Sequence, residues 1–271
     1  MLPRQPFIGA SFWMKCFPLI LVALSVVVSP QADAETLKTL IARVTPSVVG
    51  VGVAYPARSA IGKRAPRRLL GTGFIVSHGN RTLVVTNAHV VPQELDTERL
   101  ESLAVFSGSG NLARQHPAAL VKLDLVHDLA VLSYTGPVLP AMTLADSAKV
   151  MPGERVAFTG FPIGAVLGLY PVTHEGIVSA ITPIARAVDR GRELSAVNVK
   201  RLRSPFDVYQ LDAIAYPGNS GSAVYSTESG KVVGVMNAVF VKESRETLLS
   251  KPSGIAYAIP IAHLRDLLDG L

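Results

Sequence analysis

Leu37, Leu40, Ile41 and Val44 recur at intervals of three and four. That spacing lines one face of a helix, so a short helix is predicted from Glu35 towards Pro46. Beyond it the period changes. Short runs rich in Val, Ile, Phe and Tyr are cut apart by Gly, Pro, Asn and Asp, the signature of strands between tight turns. Ser47–Val53, Gly71–Val76 and Thr82–Thr86 read as strands, the last two joined by a turn over 77–80. Leu103–Phe106, Ala118–Val121 and Leu129–Tyr134 follow. Pro137 to Val150 reads as a link. The same style then resumes in Arg155–Phe158, Gly176–Ala180, Val208–Leu211, Ser222–Tyr225, Val232–Met236 and Ile255–Ile259. Ile261–Leu268 returns to helical spacing. Many short strands at regular spacing predict an all-β barrel or sandwich architecture. Two halves of similar size predict two such units with a cleft between them, over residues 35–140 and 141–271.

Residues 1–34 stand apart. Arg4 and Lys15 are basic, Phe17–Val28 is an unbroken apolar run, and Ala32-Asp33-Ala34 is a small-x-small site. This is the pattern of a secretory signal, with cleavage expected after Ala34 and a periplasmic or secreted product. Left uncleaved and extended back through Phe12 and Trp13, the run would act as an anchor. Its length and Lys15 argue against a span, so no stable membrane span is expected after cleavage. Cys16, the single cysteine, lies in this segment, and the rest of the chain can form no disulfide.

The 22 glycines and 19 prolines fit many turns, and a formal charge of +6 does not by itself specify nucleic acid. Two basic stretches, Ala54–Leu70 and Pro183–Pro205, read as solvated loops. They lack the interleaved aromatics of a stacking surface for nucleic acid. Gly108–Ala113 carries the glycine spacing of a dinucleotide loop, but no strand–helix–strand unit surrounds it, and a hairpin turn is the better reading. No metal-ligand motif is present, and neither metal nor other cofactor is expected. Gly160–Val172 is read as a flexible loop.

Candidate chemistry centres on Tyr216-Pro-Gly-Asn-Ser-Gly-Ser222. Glycines on both sides of Ser220 permit a tight turn that exposes a hydroxyl and gathers backbone N–H groups at one point. The turn's donors, Gly218, Asn219 and Ser220, are the candidate oxyanion hole. A serine hydroxyl needs a base and a group to orient that base. His89 in Thr-Asn-Ala-His-Val-Val, and Asp128 in Asp-Leu-Ala-Val-Leu, can supply them. Asp124 competes for the acid's role but lacks the strand that follows Asp128. The order His, Asp, Ser divides the three between the two halves, which suits a site at their junction.

These three motifs, with Gly71-Thr-Gly-Phe74, Gly176-Ile-Val-Ser-Ala180, Gln210-Leu-Asp-Ala213 and Tyr257-Ala-Ile-Pro260, resemble the trypsin-like serine proteases of the HtrA/DegP type across about residues 37–262. The resemblance implies two six-stranded antiparallel barrels, a His89–Asp128–Ser220 triad, polypeptide substrates and a homo-oligomer, commonly a trimer. Gly221-Ser222 departs from the family's Gly-Gly, and Ala215-Tyr216 departs from its Ile-Asn. The chain ends 11 residues after Pro260, so the PDZ domains of the family are not expected. By the same resemblance the primary substrate pocket is lined by Ile214, Ala215, Tyr216, Met236, Asn237 and Ala238. Ile214 at its base implies a small or medium aliphatic preference. The function expected is a serine endopeptidase acting on unfolded or exposed polypeptides, in protein quality control. A latent or non-catalytic polypeptide-binding module of the same fold is the alternative. Binding of anionic surfaces by the basic loops is a third reading, marked by steep salt dependence.

Overall fold

The computed structural model describes residues 35–55, 67–96, 98–146, 150–162, 169–184, 205–238 and 254–271. The signal-like segment, most of both basic loops and the middle of the 160–172 loop lie outside them. Helix α1, Leu37–Val44, opens on Thr36, whose hydroxyl accepts the Thr39 N–H, and buries Leu40 and Val44. Six strands follow: β1 Val48–Ala54, β2 Arg67–His78, β3 Arg81–Thr86, β4 Ser102–Ser107, β5 Arg114–Asp124 and β6 Leu129–Tyr134. They close into one barrel in the order β1-β2-β3-β6-β5-β4. The next six are β7 Arg155–Gly160, β8 Val172–Pro183, β9 Asp207–Asp212, β10 Ala223–Ser226, β11 Val232–Asn237 and β12 Ile255–Pro260. These close as β7-β8-β9-β12-β11-β10. Every pairing within both barrels is antiparallel. Helix α2, Ile261–Asp269, ends the chain. The fold is all-β, two six-stranded barrels with a short helix at either end.

Successive side chains of a strand point to opposite faces, and here both faces are often buried. Ile75, Val84, Ala130 and Leu132 fill the first barrel. Their neighbours Phe74, Val76, Leu83, Val85, Leu129 and Val131 point outward into a second core shared with Leu40, Tyr225, Ile259, Leu264 and Leu268. That shared core joins the outer faces of both barrels with α1 and α2. Phe158, Val178, Leu211, Val224 and Met236 fill the second barrel.

Three strands outrun the sequence reading. β2 begins at Arg67 and extends its ladder to Ala54 opposite, drawing the end of a predicted loop into the sheet. β5 and β8 are also longer than expected, and each bends at a register shift, near Leu120/Lys122 and Val178/Ala180. Bulges of this kind let one strand turn the corner of a small barrel. Among the described residues no helix is long and apolar enough to cross a membrane.

Candidate active site

β3 ends at Thr86, and the chain turns through a single 3-10 turn, Ala88–Val90, that carries His89. Ala88 and Val90 are buried and seat the turn, while the His89 side chain keeps 30% of its surface open. Asp128 sits just before β6 with φ of 56°, a left-handed conformation that aspartate tolerates better than most residues. Its carbonyl accepts the Ala88 N–H at 3.1 Å and the Asn87 side-chain amide at 3.0 Å. Its carboxylate is held by three donors. Oδ1 accepts the His89 backbone N–H at 2.9 Å. Oδ2 lies 2.6 Å from His89 Nδ1 and 2.6 Å from Asn237 Nδ2. A carboxylate facing Nδ1 fixes the proton there and leaves Nε2 as the acceptor. Asp124 faces elsewhere: its Oδ2 is 2.6 Å from His127 Nδ1. The His127 ring stacks on His263 of α2, with centroids 4.0 Å apart.

The Tyr216–Ser222 turn is built on two glycines with positive φ, Gly218 at 103° and Gly221 at 86°. A Cβ at Gly221 would overlap the Thr72 carbonyl and the Thr86 hydroxyl. Thr72, from β2 of the other barrel, clamps the turn. Its N–H donates to the Ser220 carbonyl at 2.9 Å, and its hydroxyl donates to the Gly218 carbonyl at 2.7 Å. The same hydroxyl accepts the Phe161 N–H at 3.0 Å. On the other side, the Gly221 N–H donates to Met236 O and the Met236 N–H to Ser222 O.

Of the three N–H groups assigned to an oxyanion hole, that of Asn219 donates to Tyr216 O at 3.0 Å and closes the turn. It is therefore already engaged, in contrast to those of Gly218 and Ser220. Their N–H groups donate to no group among the described residues. The Ser220 hydroxyl accepts the Ala238 N–H at 3.3 Å and makes no hydrogen bond with His89 in this conformation.

The six pocket residues divide. Ala215, Met236 and Ala238 are buried within the second barrel's core. Tyr216 is half-buried, and Ile214 is 38% exposed. Asn237 turns its amide to Asp128, a part no local pattern announced. Thr72 lay inside a quoted motif, yet its grip on the turn could not be read there. Among the described residues no cluster of three or more acidic, histidine or cysteine side chains is placed to hold a metal ion.

The chain is similar to known proteins throughout this region. A "Probable periplasmic serine endoprotease DegP-like" from Halomonas elongata is 35% identical over 216 residues, covering 78% of this chain and 37% of that protein. The protein of the same name from Marinomonas sp. is 32% identical over 215 residues, with 78% and 38% covered. The chain thus spans under two fifths of the length of these curated relatives. A crystal structure of the serine endoprotease from Yersinia pestis matches with a TM-score of 0.57 at 26% identity, covering 87% of this chain and 66% of that one. The trypsin-like peptidase domain pattern covers residues 71–235, well over half of the chain. Running from the Thr72 clamp to the strand behind Ser220, on two closed six-stranded barrels, that match makes this chain a member of the trypsin-like peptidase domain family.

Proposed function

We propose that this chain is a serine endopeptidase in which Ser220 is the nucleophile, His89 the base and Asp128 the group that orients it. The observation that carries the reading is the Asp128 carboxylate, which holds His89 by backbone and ring and faces the nucleophile's barrel through Asn237. With the proton on Nδ1, His89 Nε2 can take the Ser220 proton as Oγ attacks the peptide carbonyl. The Gly218 and Ser220 N–H groups then receive the developing oxyanion. His89 returns the proton to the leaving amine. Water, deprotonated by the same nitrogen, releases the acyl group and restores Ser220. To begin, the Ser220 hydroxyl must leave the Ala238 N–H and turn to His89.

The substrates on this reading are unfolded or exposed polypeptides, in a quality-control role. The similarity to proteins named as periplasmic endoproteases and the signal-like residues 1–34 support a periplasmic site of action. Residues 35–140 and 141–271 are assigned as the two barrel halves, and assembly into a homo-oligomer is part of the proposal. The hydroxyl's engagement with Ala238 favours a second reading, a latent module that binds polypeptides until its site is aligned. Labelling by a fluorophosphonate probe, with Ser220→Ala as control, separates the two. Labelling that vanishes in the variant supports the peptidase. No labelling of a folded sample sinks it in favour of the latent module.

A further inference from the structure

His174 has no part in the chemistry above, and its surroundings are unusual for a histidine. It lies on β8 directly opposite Phe158 of β7, so the two side chains share a face of the sheet. Their rings stack, 5.0 Å between centroids and 23° between planes. Phe158 belongs to the second barrel's interior together with Ala213, Ala215, Met236 and Ala238. The His174 ring is 6.0 Å from that of Tyr216, in the nucleophile turn. Its Nε2 is shut off from solvent and has no hydrogen-bond partner among the described residues. Leaving a buried polar atom unpaired is costly, so an orphaned nitrogen near a candidate site calls for a reason. Burial lowers the ring's pKa and keeps it neutral. A neutral imidazole carries one donor and one acceptor.

Three of the buried residues that share a core with Phe158 are small: Ala213, Ala215 and Ala238. Ala215 precedes Tyr216, and Ala238 is the residue whose N–H meets the Ser220 hydroxyl. Ile214, the position that implied an aliphatic preference, is 38% exposed.

We propose that His174 is a specificity-determining residue: its Nε2–H donates to the substrate side chain on the acyl side of the scissile bond and selects glutamine and glutamate over aliphatic residues. The inference rests on the peptidase reading for its place in turnover, but the binding step can be tested without turnover.

The test uses the full chain carrying Ser220→Ala. Product-like peptides ending in Gln, Glu, Asn, Asp, Leu or Val are titrated by fluorescence anisotropy. The expected result is binding of the Gln or Glu peptide about tenfold or more tighter than Leu, as a site built to hydrogen-bond discriminates against ligands that cannot. His174→Phe should abolish the difference and leave Leu binding within about twofold, the size of effect expected when one polar contact is lost and the apolar wall kept. His174→Gln retains a donor and guards against misfolding. A preference for Glu that grows as pH falls marks an imidazolium–carboxylate pair. A pH-independent preference for Gln marks the neutral donor. Leu or Val bound as tightly as Gln and Glu, equal losses for all peptides in both variants, or no peptide binding at all would overturn the assignment. Labelling of the wild-type chain by the fluorophosphonate probe, run alongside, keeps the two proposals apart. Discrimination without labelling sinks the peptidase, and labelling without discrimination sinks His174.

Discussion

Thr72→Val is the sharpest single perturbation the geometry offers. The side chain is fully buried, and valine matches its shape. The change therefore deletes a hydroxyl with little alteration of volume. Two partners lose their mate: the half-buried Gly218 carbonyl, at 2.7 Å, and the buried Phe161 N–H, at 3.0 Å. Unpaired buried groups cost about 1–3 kcal/mol each, so the stability lost should be about 2–4 kcal/mol. For a chain of this size that lowers Tm by about 5–15 °C. The larger consequence falls on the turn. With its carbonyl released, the Gly218–Asn219 peptide can rotate, and the Gly218 N–H, in the preceding peptide across the same Cα, loses the anchor that fixes its direction. Removing one donor from an oxyanion site costs about 10²–10³ in rate. Loss of order at one donor should therefore slow fluorophosphonate labelling of Ser220 by about 10- to 100-fold. Thr72→Ser keeps the hydroxyl and should label near the wild-type rate. The assay is labelling kinetics at a temperature where both variants are folded by circular dichroism. A Thr72→Val protein that loses stability but labels within about twofold of wild type would refute the reasoning, because the Gly218 N–H would then have no part in holding the oxyanion.

Asn237→Leu should lower kcat on a peptide substrate by about 10- to 100-fold with KM little changed, since a donor to a charged carboxylate is worth about 1.5–3 kcal/mol; an unaltered kcat would remove Asn237 from the orienting group. Burial lowers the pKa of His116, His174 and His263. The unfolded chain then binds more protons than the folded one below about pH 6.5, so stability present above that pH is lost as pH falls. Tm should decline on acidification through this window, and His263→Leu should flatten the decline; a Tm that rises on acidification contradicts the sign. Leu264→Ala, at a fully buried position of α2 in the shared core, should cost about 2–5 kcal/mol in urea unfolding, with a smaller loss showing that α2 packs loosely.

Much of this fold is legible in one dimension because its strands are covered on both faces. Phe74, Ile75 and Val76 must each be apolar, one pointing into a barrel and its neighbours into the shared core, so the run stands out against polar turns. The beginning of β2 is obscured for the opposite reason. Arg68 is an exposed side chain beside Glu101, and its place in the sheet is owed to backbone pairing with Val53, which charge does not report. The residues carrying the candidate chemistry lie in short local motifs and can be found by eye. Their supports cannot. The Thr72–Gly218 and Asn237–Asp128 bonds span 146 and 109 residues, and nothing near Thr72 or Asn237 in the chain hints at the partner. His174 escaped notice too, because an orphaned nitrogen is a property of packing.

The bond from Thr72 to the turn has a bearing on how the molecule comes into being. Each half can close its own barrel from nearby hairpins, yet neither then owns the whole of the proposed reaction centre: the carbonyls of Gly218 and Ser220 are moored by a residue made early in synthesis, and the Asp128 carboxylate takes a donor made late. Contacts of such long sequence separation form last and slowly. The newborn chain, whose own unfolded segments are the kind of polypeptide the proposed enzyme would cut, is thus disarmed until the two barrels have docked and nothing of itself remains loose enough to be cut.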